Sequence, residues 1–235
     1  MKLHAGITRL VAATAAAVLL VTAPLQSQTV VAGNLGPGNS YLHGVSNSWR
    51  TGYDGSQTPP LQFDNAVSFQ YTGSLAAQVQ QFSWVVNFYS GTDNISASWF
   101  SGANINTATF LGVSGVWPAS FSNPGSEYFL TTGGGGLMLQ PLQTYWIEFT
   151  LPLPSQGIWG LQTNDQGQTG YWSRAWDLTD PNNPVDLGWT LQSGDTPAFE
   201  VRTVNPTTVT PEPATLALTA TGLLFLGGVR LRRRS

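Results

Sequence analysis

Residues 144–151 read Thr-Tyr-Trp-Ile-Glu-Phe-Thr-Leu, and their alternation decides the fold class. In an extended chain successive side chains point to opposite faces, so Tyr145, Ile147, Phe149 and Leu151 form one apolar row. Trp146, Glu148 and Thr150 form the other, which makes Glu148 a solvent-facing strand residue. A helix would scatter the same residues around its circumference. The pattern recurs at Phe82, Trp84, Val86 and Phe88, and again at Ile95, Ala97 and Trp99. Weaker versions run through Val67, Phe69 and Tyr71; Ile105 to Leu111; Trp159 and Leu161; Tyr171 to Trp176; Trp189 and Leu191; and Phe199 to Val201.

Turn-forming residues punctuate these runs at Gly91 to Asn94, Asn123 to Gly125, Gly133 to Gly136, Asn164 to Gly167 and Asp180 to Pro184. Glycine, proline, Asn and Asp each relieve a steric or hydrogen-bonding cost of reversing the chain. Eight to eleven short strands with such breaks predict an all-β protein, an antiparallel β-sandwich of jelly-roll type. The expected layout is a signal segment over 1–32, the β-sandwich over 33–204, a Thr/Pro/Asn linker over 205–210 and a C-terminal signal over 211–235. An apolar helix is expected at each end. Residues 33–58 show few periodic positions and read as an irregular first strand or a loose arm.

Charge narrows the function. Residues 33–205 carry three arginines, Arg50, Arg174 and Arg202, against eleven carboxylates, a net charge of −8. An acidic, lysine-free domain lacks the clustered cations that nucleic-acid phosphates require, so no nucleic-acid partner is expected. The chain has no cysteine, which excludes disulfides, thiolate nucleophiles and sulfur-ligated metals together.

The remaining basic residues lie at the termini. Lys2 and Arg9 precede the apolar run Leu10 to Val21, and small residues follow, the order of a secretory signal. A Val-x-Ala cleavage pattern ends at Ala23 and again at Ala32; Pro24 follows the first directly, which favours the second. A retained membrane anchor is the alternative, but about twelve apolar residues fall short of the ~20 that span a bilayer. At the other end, Pro211-Glu212-Pro213 precedes sixteen uncharged residues, Ala214 to Val229, and then Arg230, Arg232, Arg233 and Arg234. As a helix that run is about 24 Å long, marginal against a ~30 Å hydrocarbon core, and the arginine cluster holds the extreme C-terminus in the cytoplasm.

This tripartite pattern of Pro-Glu-Pro, apolar helix and arginine cluster resembles the PEP-CTERM sorting signal of Gram-negative surface proteins. The resemblance implies export through the inner membrane, transient anchoring by the C-terminal helix and cleavage near Pro211–Pro213 by an exosortase-type enzyme. It also implies release or attachment at the cell surface, often beside exopolysaccharide. A plain C-terminal tail anchor is the alternative. Within the domain, Gln143 to Glu148 together with Tyr171-Trp172, Gly188-Trp189-Thr190 and Phe199-Glu200-Val201 is similar to exported choice-of-anchor β-sandwich domains, which bring no catalytic residues to transfer.

Candidate chemistry is sparse. After signal removal only His43 could serve as the base of a nucleophilic triad or as a zinc ligand; no Gly-x-Ser-x-Gly elbow occurs, and a loop histidine is the simpler reading. Glu148 with Glu200 or Asp177 could form a glycosidase pair if the two carboxyls faced each other across a cleft. The loop residues Asp177, Asp180, Asn182 and Asp186 offer oxygens to calcium, though Asp and Asn beside proline equally favour turns. No other cofactor is expected. Trp172, Arg174 and Trp176 share one strand face, where indoles could stack on a sugar ring while the arginine orients hydroxyls; the alternative is Arg174 packed on a neighbouring indole. Together these residues point to a noncatalytic, exported surface or matrix protein associated with polysaccharide or adhesion, with a carbohydrate-active enzyme (glycosidase or lyase) as the alternative.

Overall fold

The computed structural model describes residues 28–204. Most of the expected signal segment, the linker, and the sorting residues Pro211, Glu212, Pro213, Arg230, Arg232, Arg233 and Arg234 lie outside the described residues. Among those described, no helix is long and apolar enough to cross a membrane.

The chain is all-β. The described residues form thirteen strands: β1 (Thr29–Gly33), β2 (Ser48–Asp54), β3 (Leu61–Gln70), β4 (Ala77–Gly91), β5 (Ile95–Ser101), β6 (Thr109–Trp117), β7 (Ser126–Gly133), β8 (Met138–Leu139), β9 (Thr144–Thr150), β10 (Gly157–Gln162), β11 (Thr169–Asp177), β12 (Val185–Asp195) and β13 (Phe199–Val204). Every pairing among them is antiparallel, and hydrogen bonds join them into one sheet in the order β1-β13-β4-β10-β2-β3-β9-β5-β6.

Two strands act as branch points. The fifteen-residue β4 pairs with β13 and β10 along one edge and with β7 and β8 along the other. In the same way β3 pairs with β2 and then β9 on one edge and with β11 on the other, and β12 lies beyond β11.

The sheet folds over on itself, because side chains far apart in strand order meet in the core. Phe82 of β4 lies with its ring centroid 5.4 Å from Trp99 of β5 and 6.2 Å from Phe149 of β9. Phe69 of β3 reaches Trp99, Tyr145 and Phe199. Trp84, Trp99, Trp159, Phe82, Phe149, Ile147 and Leu161 are almost wholly excluded from solvent. Each contributes roughly 1.5–3 kcal/mol through burial, and the edge-on ring contacts add to this. The alternation expected for β4, β5 and β9 is thus the one that builds the core.

Three expectations about the strands are corrected. Residues 33–58 are not a loose arm: Ser48–Asp54 form β2, paired between β10 and β3, while most of 34–47 is turn and coil as the irregular reading held. Residues 105–107 form a 3₁₀ turn, so the strand begins at Thr109. Thirteen strands replace eight to eleven, since β2, β7 and β8 carry no long apolar alternation. The first strand also begins at Thr29, ahead of the expected domain boundary at 33, and Val31 and Ala32 pack against the core.

Turns close where glycine permits them. At the end of β4, Gly91 has φ +103°, and a Cβ there would fall 2.1 Å from the carbonyl oxygen of Gln156. The Asp93 carboxylate accepts from the Gln156 amide, while its carbonyl accepts from Trp159 Nε1 at 3.0 Å, binding this turn to β10.

Candidate functional site

The outward row of β9 is not solvent-facing. Strands β11 and β12 and the 3₁₀ turn Ile105–Thr107 rise beside it, and Glu148 is only 8% exposed. This corrects the expectation for Glu148, and the cause is tertiary: the residues around it, Phe100, Ile105, Asn106, Arg174, Asp186 and Trp189, lie 26 to 48 positions away in the chain. Opposite Glu148 stand Ala66 of β3 and Ser98 of β5. No hydrogen bond to that carboxyl is found among the described residues.

One row along, Arg174 of β11 pairs in register with Asp64 of β3 on one side and Trp189 of β12 on the other. Arg174 Nε donates to Asp186 Oδ1 at 2.9 Å and Nη2 to Oδ2 at 2.5 Å, a two-pronged ion pair that the Gly188 amide supports at 2.8 Å. The guanidinium lies 4.1 Å from the centre of the Trp176 ring and 5.8 Å from that of Trp189. Beneath it, Asp64 is buried and accepts from Thr150 Oγ1 at 2.6 Å and from Trp176 Nε1 at 2.7 Å. Trp172 meets Trp146 edge-on at 5.8 Å, and Trp146 Nε1 donates to the Gly102 carbonyl.

Between these groups lies a cavity of about 150 Å³ lined by Phe100, Ile105, Asn106, Glu148, Arg174, Asp186 and Trp189. A cavity of that order accommodates a single six-membered ring. Its electrostatics follow from burial and charge. Burial, then the Asp64 charge, pushes the Glu148 carboxyl up to about 7, with Arg174 opposing and Asp186 adding to the rise. Burial likewise raises Asp64, against the two hydrogen bonds it accepts. Asp186 is held below the usual carboxylate range, chiefly by its hydrogen bond from Arg174.

The structure therefore brings Trp172, Arg174 and Trp176 onto one face and adds Trp146 and Trp189 to them. Arg174 does pack on the neighbouring indole, as the alternative reading held. The loop residues do not gather. Asp177 Oδ1 accepts from the Thr179 amide and hydroxyl, Asp180 Oδ1 accepts from the Asn182 amide, and Asp186 is committed to Arg174. Among the described residues no three carboxylates or histidines converge as a metal site. The charged neighbours of Glu148 are Asp64, Arg174 and Asp186 rather than Glu200 or Asp177; Glu200 accepts instead from Arg202 on its own strand.

His43 is a latch. Its Nδ1 lies 2.7 Å from Glu127 Oε2, while Glu127 Oε1 accepts from the Gly44 amide and from Gln162 Nε2. Its side chain is well exposed, and no serine hydroxyl bonds it among the described residues.

Sequence reasoning missed Asp64 and Trp189. The signal for Asp64 was an ionisable residue at the outward phase of a strand, in line with Ala66 and Ser68. Compared with known protein families, curated proteins and solved structures, the chain matches none, so the chemistry of this face is the ground for its function.

Proposed function

We propose that the protein is an exported, noncatalytic surface or matrix protein that associates with polysaccharide through the outer face of β11. The observation that carries this is the row of partly exposed indoles Trp172, Trp176 and Trp189 around Arg174, beside a ring-sized cavity. Flat aromatic faces lie against sugar rings while guanidinium and carboxyl groups bond their hydroxyls, the arrangement of small-molecule sites that are largely apolar with a few placed polar groups. The folded-over sheet is read as a β-sandwich of jelly-roll type, which leaves such an outer face free to bind. The test is titration with bacterial exopolysaccharide: Trp172→Ala and Trp176→Ala together abolish binding while melting stays cooperative. Unchanged binding by the double variant sinks this face.

Destination rests on the sequence. The Pro211–Pro213 motif, the apolar run and Arg230, Arg232, Arg233 and Arg234 support sorting by an exosortase-type enzyme, with membrane anchoring before the cut and surface or extracellular location after it. Mass spectrometry of the mature protein from strains with and without that enzyme is the check. At the other end, a cut after Ala32 would remove most of β1, whereas the earlier pattern ending at Ala23 spares it. We therefore favour Ala23, and N-terminal sequencing of the secreted protein decides between them.

One observation favours the enzymatic alternative: a carboxyl titrating near 7 suits a general acid. Glycoside hydrolysis needs a second carboxylate free to act as nucleophile or base. Here Asp64 is bonded by Thr150 and Trp176, and Asp186 by Arg174, which supports binding over catalysis. Sugar release from polysaccharide that disappears in Glu148→Gln would reverse that preference.

A further inference from the structure

The polar groups around the cavity do not balance. Glu148 of β9 and Asp186 of β12 line the cavity, Asp64 of β3 acts on Glu148 from beneath, and the one cation beside them, Arg174 of β11, is already bonded to Asp186 through two nitrogens. The other arginines of the described residues are engaged elsewhere, Arg50 with Asp54 and Arg202 with Glu200. Glu148 is 8% exposed as a residue and opens its carboxyl into the cavity without a hydrogen-bond partner among the described residues. A polar group so placed takes its bond from whatever occupies the cavity, water or a ligand.

What is missing is a positively charged donor of small size. An anionic sugar would meet the carboxyls of Glu148 and Asp186, with Asp64 buried behind them, and a neutral hydroxyl would leave the charge imbalance as it stands. An ammonium group next to Glu148 would supply both hydrogen and charge, with Phe100 and Trp189 lining the same cavity; aromatic faces attract cations as well as sugar rings. Arg174 keeps Nη1 uncommitted, and Asn106 adds an amide to the wall, two groups suited to ring hydroxyls. We propose that this cavity is a subsite for an amino sugar, with Glu148 receiving the sugar's free ammonium group, so that the protein selects polysaccharide carrying unacetylated amines. The assignment rests on the polysaccharide reading above and narrows it to one substrate class.

Selection by a carboxyl that is half protonated near neutrality carries its own signature. Binding of the ammonium draws on the ionised fraction of Glu148, so the apparent affinity scales with that fraction. With Glu148 at about 7, affinity rises on the order of tenfold between pH 5.5 and pH 7, then falls again once the amine loses its proton. Arg174 and Asp186 face the same space and remain charged throughout this range, while Asp64 acts on Glu148 from beneath.

The experiment is calorimetric titration of the purified full chain with three hexasaccharides of one linkage: a glucosamine oligomer, its fully N-acetylated form and the glucose form with hydroxyl in place of amine. A lysine-containing peptide serves as a fourth ligand. The proposal expects the glucosamine oligomer to bind at least about tenfold tighter than either sugar analogue, with the stated pH profile; Glu148→Gln, which keeps the shape, removes both preference and profile. Equal binding of the three sugars overturns the amino-sugar assignment and leaves the polysaccharide reading standing. If no sugar binds, both fall. Equally tight binding of the peptide overturns the assignment in favour of a protein ammonium. Should Glu148→Gln fail to melt cooperatively, the wild-type pH profile decides alone, a flat profile being the overturning result.

Discussion

Two buried indoles show how little of a residue's cost is visible in its burial. Trp84 and Trp99 are each 1% exposed and share the core, yet Trp99 Nε1 donates to Ser114 Oγ at 2.6 Å while Trp84 Nε1 has no partner among the described residues. A buried donor without a bond costs about 1–3 kcal/mol. Trp84→Phe is therefore expected to lie within about 1 kcal/mol of wild type, the lost volume being offset by removal of the unpaired N–H, whereas Trp99→Phe should cost roughly 2–3 kcal/mol, losing both volume and the bond to Ser114. Urea unfolding of the two variants provides the comparison, and equal losses would contradict it. The same scale governs Glu148. Since Arg174 lowers its affinity for a proton, Arg174→Ala should move the Glu148 titration above its wild-type midpoint near 7, a shift readable by carboxyl-carbon NMR.

Strands differ in how much of their context they carry with them. Those with an unbroken apolar row, β4, β5 and β9, were legible because their inner faces are almost purely apolar. Strand β2 was not, because Thr51 and Asp54 are among its buried side chains. Nor was β7, which lies along the outer edge of β4 and buries only Leu130 fully. Turns were better legible than edges, since glycine and proline act through the local backbone. At the β4–β5 turn this has a testable form: Gly91→Ala faces both a left-handed φ and the Gln156 carbonyl, and should destabilise by more than about 1 kcal/mol, measured by thermal melting.

Over the whole molecule, two sets of carboxyls pull stability in opposite directions with pH. Asp54, Glu127 and Asp186 are held low, Asp54 by Ser56 and Asp186 by Arg174, while Glu127 owes its shift to the Gly44 amide and His43 outweighing its burial; their contribution is present above the ordinary carboxylate range and lost as pH falls through their depressed values. Glu148 and Asp64 are raised, so the folded state holds protons that the unfolded chain releases. Stability then falls as pH climbs from about 4.5 to about 7, by roughly 3 kcal/mol for Glu148 once both states have ionised. The melting temperature should peak near pH 5 and drop by pH 8. Glu148→Gln should match wild type at pH 5 and exceed it at pH 8; a wild-type melt that improves steadily to pH 8 would refute this account.

By itself the sequence determined the all-β class, the strands of the core and five of the turns between strands, because period-two alternation and glycine or proline chemistry are properties of neighbouring residues. It also brought Trp172, Arg174 and Trp176 to one face, since residues two apart on a strand share a side. Only the tertiary structure decided that Glu148 is buried. The residues that cover it and set its charge, Asp64, Asn106, Arg174, Asp186 and Trp189, come from four separate stretches of chain. Burial and charge are sums over what the fold brings near, and no local pattern carries them.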